Sequence, residues 1–85
     1  MMLRMSEQDF NKIVRTEIRV QMVRRDISGR KLARQLGWST TRLHRRLSGE
    51  TPISATDLQN IAVILDVPVE TLGFQLVTTA GHGIR

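Results

Sequence analysis

The chain has 85 residues, a formal net charge of +5, no cysteine and only 4% aromatic residues. That length fits one small domain with a modest core, and a hydrophobic content of 40% argues against wholesale disorder. The lack of cysteine excludes a disulfide scaffold and a thiolate zinc site; the longest apolar run, Ile61 to Leu65, is far too short to span a bilayer.

Residues 1–5 read as a flexible N-terminus, and the polar Ser6-Glu7-Gln8-Asp9 that follows does not suit a signal peptide. Ser6 is the first N-cap candidate, with Asp9 three residues on. Phe10, Ile13, Val14, Ile18 and Met22 then recur at helical spacing and predict a helix over 7–25. Val20 and Val23 fall off that stripe. Asp26-Ile27-Ser28-Gly29 breaks the pattern. Ser28 is the next N-cap, before a helix over 29–36 with Leu32, Ala33 and Leu36 on one face. Gly37 ends it, as glycine does at a left-handed position. Ser39 caps a third helix over 40–47, which Gly49 stops.

Glu50-Thr51-Pro52-Ile53 is a loop. Ser54 caps a fourth helix over 55–65, with Leu58, Ile61, Ala62 and Leu65 on its apolar face and Asp57 at the capping-box position. Pro68 suits the first position of a short fifth helix ending at Leu72, with Gly73 as terminator. The expected domain is therefore 6–73. In the tail 74–85, Phe74 to Thr79 alternates weakly; it can pair as a strand, pack as coil, or order only in an oligomer, and Ala80 to Arg85 reads as disordered. The expected fold is all-α, a compact bundle of four to five helices with an optional short C-terminal strand.

The charge is not spread evenly. Arg24, Arg25, Arg30, Lys31, Arg34, Arg42, Arg45 and Arg46 stand against Asp26 alone between positions 24 and 46. From Leu47 to Ile84 there is no Lys or Arg, while Glu50, Asp57, Asp66 and Glu70 are acidic. A concentrated basic segment in a small domain points to a polyanion partner, although a solvated helix face is the plainer account of any single charge run.

The pattern inside the basic segment favours the partner. Two short helices are separated by Gly37-Trp38-Ser39, a turn that sets helices at roughly 90–120°. Ala33 permits a close crossing, Gly37 permits the reversal, and Leu32, Leu36, Leu43 and Leu47 meet in the angle. This is helix-turn-helix chemistry, in which the second helix enters the DNA major groove. At about 100° per residue, Thr41 and Arg45 point away from the buried Leu43–Leu47 direction, Arg42 lies near them, and His44 and Arg46 flank. Arginine can bond guanine bidentately, and a threonine methyl can meet the thymine methyl.

Leu32-Ala33-Arg34-Gln35-Leu36-Gly37-Trp38-Ser39, then Leu43-His44-Arg45-Arg46-Leu47-Ser48-Gly49, then Leu58 through Leu72 resemble the lambda-repressor-like, Cro/repressor class of helix-turn-helix domains. The similarity covers about half the chain directly, Ile27 to Leu72, and most of it with the first helix. It implies a four- to five-helix bundle that binds double-stranded operator DNA, often as a homodimer. The Gly37-Trp38-Ser39 and Arg45-Arg46-Leu47-Ser48-Gly49-Glu50 wording resembles small regulators of actinobacterial phages and their hosts. Two positions depart from the family pattern: Gly29 stands where glutamine is frequent, and Arg46 stands where an apolar residue is usual.

The candidate base-contacting residues are Thr40, Thr41, Arg42, His44 and Arg45. Ser28, Gly29, Arg30, Lys31, Arg46 and Ser48 are candidate phosphate contacts, Gly29 through a helix N-terminal amide. Trp38 is expected to pack across the helix junction. No metal site, nucleophile–base pair or phosphate-cradling glycine loop is evident, so no cofactor and no enzyme activity are expected. The expected location is the bacterial cytoplasm or nucleoid. Two further readings remain open: an antitoxin-like or adaptor component that uses the same fold to bind a protein, and an excisionase-like architectural DNA binder.

Overall fold

Three serines set the starts of three helices. Ser28, Ser39 and Ser54 are all extended, with φ of −77°, −73° and −78°. Each side chain accepts a bond from the amide three residues on: Lys31 N at 3.1 Å, Arg42 N at 3.1 Å and Asp57 N at 3.0 Å. Each bond satisfies one of the amides a helix N-terminus leaves unpaired, contributing about 1 kcal/mol. At Ser54 the box is reciprocal, because the Asp57 carboxylate also accepts from the Ser54 amide at 3.4 Å.

In the computed structural model, which describes residues 7–73, these starts open three of four α-helices. The four are α1 (Glu7–Arg24), α2 (Gly29–Leu36), α3 (Thr40–Ser48) and α4 (Ala55–Leu65). A single 3-10 turn, Val69–Leu72, follows. The fold is all-helical, with no strand among the described residues. The α2 and α4 bounds are as the sequence predicts; α1 stops one residue sooner and α3 runs one further.

The fifth element differs from expectation. It is a 3-10 turn rather than an α-helix, and Pro68 is its cap at φ −61° and ψ 143°, not its first helical residue. Proline restrains its own φ but not its ψ, and here ψ is extended. Four residues also allow only one turn, for which tighter bonding is usual. The Ser6 cap and the 74–85 tail, on which the optional strand was expected, lie outside the described residues.

Helix stops follow backbone chemistry. Gly37 takes φ 76° and its amide bonds back to Ala33 O and Arg34 O, reversing the chain between α2 and α3. α4 instead ends on Asp66 at φ 58°, a left-handed conformation that aspartate tolerates better than most residues.

Two clusters form the interior. The larger joins Val14 and Ile18 of α1 to Leu58, Ile61, Ala62 and Leu65 of α4 and to Leu72. The smaller is Leu32, Ala33 and Leu43, where α2 crosses α3. Ile18, Leu32, Ile61, Leu65 and Leu72 are fully buried, each contributing about 1.5–3 kcal/mol relative to exposure. Met22, Ile27, Leu36, Trp38 and Leu47 pack against both clusters and weld them. The α2–α3 pair is thus held on a platform of α1 and α4. Val23, off the predicted stripe, is exposed.

Candidate nucleic-acid interface

Burial divides α3 cleanly. Leu43 is 2% exposed, and Leu47 is half-buried against both clusters. Thr40, Thr41, Arg42, His44 and Arg45 are all exposed. Thr41, Arg42 and Arg45 therefore lie on the side of α3 away from Leu43 and His44 flanks them, as the 3.6-residue period requires, whereas Thr40 lies on the Leu43 side and is exposed at the first position of the helix. α3 is nine residues long, and its N-terminal turn carries three of them.

The expected phosphate residues are more scattered. Arg30 and Lys31 are exposed near the start of α2, beside Ser28, whose hydroxyl is engaged in capping. Gly29 is half-buried; a Cβ there would meet Leu43 Cδ2 at 4.0 Å, an ordinary contact, so space does not demand glycine. At the other end of α3, the Ser48 hydroxyl donates to Arg45 O at 3.2 Å.

Arg46 is not a free surface cation. Its side chain is 19% exposed, and its Nε donates to Asp57 Oδ2 at 3.1 Å. Its guanidinium carbon stands 5.4 Å from the Trp38 ring centroid. This accounts for the departure at position 46. The site usually filled by an apolar side chain faces the start of α4, and an arginine fits there because Asp57 is present to pair with it.

Arg42 sits on the same ring. Its guanidinium is 4.4 Å from the Trp38 centroid, a cation–π geometry, and its Nη2 is 3.9 Å from Asp57 Oδ1. Trp38, half-buried between both clusters, thus serves as packing across the junction and as a platform for two arginines. Arg45 differs. Its partner is Glu50 at 3.6 Å, with both side chains more than half exposed, a pairing that contributes about 0–1 kcal/mol and yields easily.

Two residues outside the basic segment also hold α3. Arg19 of α1 donates from Nη2 to the carbonyl of Leu47, and the Arg15 guanidinium lies against Gly49. Both bring positive charge to the C-terminal end of α3, a favourable placement. Asn11 Oδ1 accepts from the Ile53 amide at 2.9 Å and ties α1 to the loop before α4. Sequence reasoning assigned none of these three. The available signal was polar residues on the flank of the α1 stripe, which alone does not identify a partner.

Among the described residues no group of acidic residues or histidines could hold a metal ion, and no helix is long and apolar enough to cross a membrane. Residues 5–73 match the family model of a helix-turn-helix domain. No curated protein and no solved structure matches. A turn at left-handed Gly37, two short helices packed through Leu32, Ala33 and Leu43, and a family match over most of the length agree: the chain belongs to the helix-turn-helix domain family of DNA-binding domains.

Proposed function

We propose that the chain is a sequence-specific, double-stranded DNA-binding transcriptional regulator of the Cro/repressor type. It places α3 in the major groove of an operator as a homodimer. The observation that carries this reading is the outer face of α3, where Thr40, Thr41, Arg42, His44 and Arg45 are exposed beside buried Leu43.

Arg45 is the principal base reader, bidentate to guanine, with Thr41 beside it on a thymine methyl. Thr40, Arg42 and His44 complete the base-facing set. Arg30, Lys31, the Gly29 amide, Ser28 and Ser48 fix the domain on phosphates, contacts that position without reading sequence. Arg46 acts through its bond to Asp57, orienting α3, and its phosphate role is secondary. In a dimer, two α3 helices about 34 Å apart would meet half-sites one turn apart; the fifth element with Phe74, Leu76 and Val77 is the proposed two-fold contact. The work belongs where such DNA is, in the bacterial cytoplasm or nucleoid, whether the operator is a phage's or a host's.

The salt dependence of binding tests the reading. With about five phosphates neutralised, log affinity should fall against log salt with a slope near −4.5. A slope near zero would refute DNA binding. A second reading, an antitoxin-like or adaptor component, draws on the exposed Val23 and Val63, 81% and 76% accessible; a partner that protects these valines from solvent while DNA affinity is negligible would favour it. Strong bending of the bound duplex would favour an excisionase-like role.

A further inference from the structure

Asp57 joins three structures that the DNA reading treats separately. Its carboxylate closes the capping box of α4 on the Ser54 amide, bonds Arg46 Nε at 3.1 Å, and stands 3.9 Å from Arg42 Nη2. It is 10% exposed and fixed by the cap, so it is a stationary anion at the root of the reading helix. Across from it, Trp38 is wedged between both clusters and takes both guanidiniums on its ring. Arg46 is thereby hydrogen-bonded to the carboxylate beside the indole, and Arg42, its side chain 46% exposed, stacks on the ring 3.9 Å from the same carboxylate. Arg45 has only a solvent-facing glutamate, and no ion pair within the described residues holds Arg30, Lys31 or Arg34.

A mobile guanidinium binds phosphate on any sequence. One held in place contributes only where the DNA brings an acceptor to it, or where leaving the clasp is repaid. Resting on the double-stranded DNA reading above, we infer that Asp57 is a specificity-determining positioning residue. It holds Arg42 and Arg46 against Trp38 and withholds them from indiscriminate phosphate contact. Arg42 then reaches a base edge only from the clasp. The two cations raise the selectivity of the domain rather than its general affinity for nucleic acid.

The test is Asp57→Asn in the full chain, titrated with salt on a random-sequence duplex and on a duplex enriched by selection. Asparagine removes the anion but keeps an oxygen for the Ser54 amide. The slope of log affinity against log salt on the random duplex should steepen by about 0.9 for each guanidinium that gains a phosphate. By the same relation, one such contact strengthens non-specific binding about eightfold at 0.1 M relative to 1 M salt. The ratio of specific to non-specific affinity should fall by a similar factor.

Ser54→Ala breaks the same cap and leaves the carboxylate, so it should lower stability without steepening the slope. An unchanged slope in Asp57→Asn, or equal steepening in Ser54→Ala, would overturn the inference and leave DNA binding standing. A wild-type slope near zero would instead remove the DNA reading, and this inference with it. If Asp57→Asn does not fold, nitrogen relaxation at the arginine Nε sites of the free wild-type protein decides. Arg42 and Arg46 should be restricted and Arg30 mobile; equal mobility for all three would refute the clasp.

Discussion

Replacing Arg46 with methionine keeps an unbranched stem against Trp38 and removes the charge. The Asp57 carboxylate, 10% exposed, then loses its 3.1 Å partner but keeps the Ser54 amide and an arginine 3.9 Å away. Breaking a fully buried pair costs about 3–5 kcal/mol because it strands a charge. Here Arg46 is 19% exposed and the carboxylate retains partners, so about 2 kcal/mol is the appropriate scale. For a domain of this size that corresponds to a fall in Tm of about 8–16 °C. Asp57→Asn alone should also destabilise, and the double variant should be less damaged than the sum. Urea melts of wild type, both single variants and the double give the coupling, expected at about 1–2 kcal/mol for charged partners in contact. Additive effects, within about 0.3–0.5 kcal/mol, would mean the two side chains do not act together and would refute the clasp as a stabilising unit.

Arg45→Ala should leave Tm nearly unchanged, since its partner Glu50 is exposed, while weakening binding to the selected duplex by about 1–3 kcal/mol and relaxing preference at one base pair; anisotropy titrations of single-base duplex variants measure both. Gly73→Ala should destabilise more than Gly37→Ala in thermal melts. Both residues have positive φ, but a Cβ at Gly73 would meet Val14 Cγ2 at 3.3 Å, whereas nothing lies within 4 Å at Gly37; the reverse order would contradict the packing there. Asp66→Asn should raise stability by about 0.3–1 kcal/mol, because it removes an anion from the α4 C-terminus and keeps a side chain that accepts left-handed geometry. A loss of stability in urea melts would show that the Asp66 charge has a favourable role.

How much of this was legible in the sequence depends on the range of the interaction. The serine caps at 28, 39 and 54 and the glycine at 37 act over three or four residues, so the helix limits could be placed closely. The solvent face of α3 followed from one period and the inward Leu43. The Arg46–Asp57 bond did not, although the signal existed: an arginine at a position usually apolar, and an acidic residue opening the next helix. Joining them requires the placement of α3 relative to the start of α4, which α2 sets by packing against both helices. The Arg19 bond to Leu47 and the Asn11 bond to Ile53 span 28 and 42 residues and are invisible to local pattern for the same reason. Pro68 was misplaced by one position because its preference for a helix start says nothing of whether the turn will be α or 3-10.

The proposed function rests on the exposed face of α3 reading double-stranded DNA. Selection of bound duplexes from a random pool, followed by footprinting of guanine N7 on the enriched site, tests it most directly. A two-fold symmetric consensus is expected, with a major-groove guanine protected by the wild type and exposed in Arg45→Ala. Recovery of no consensus at moderate salt, or protection that Arg45→Ala leaves intact, would contradict it.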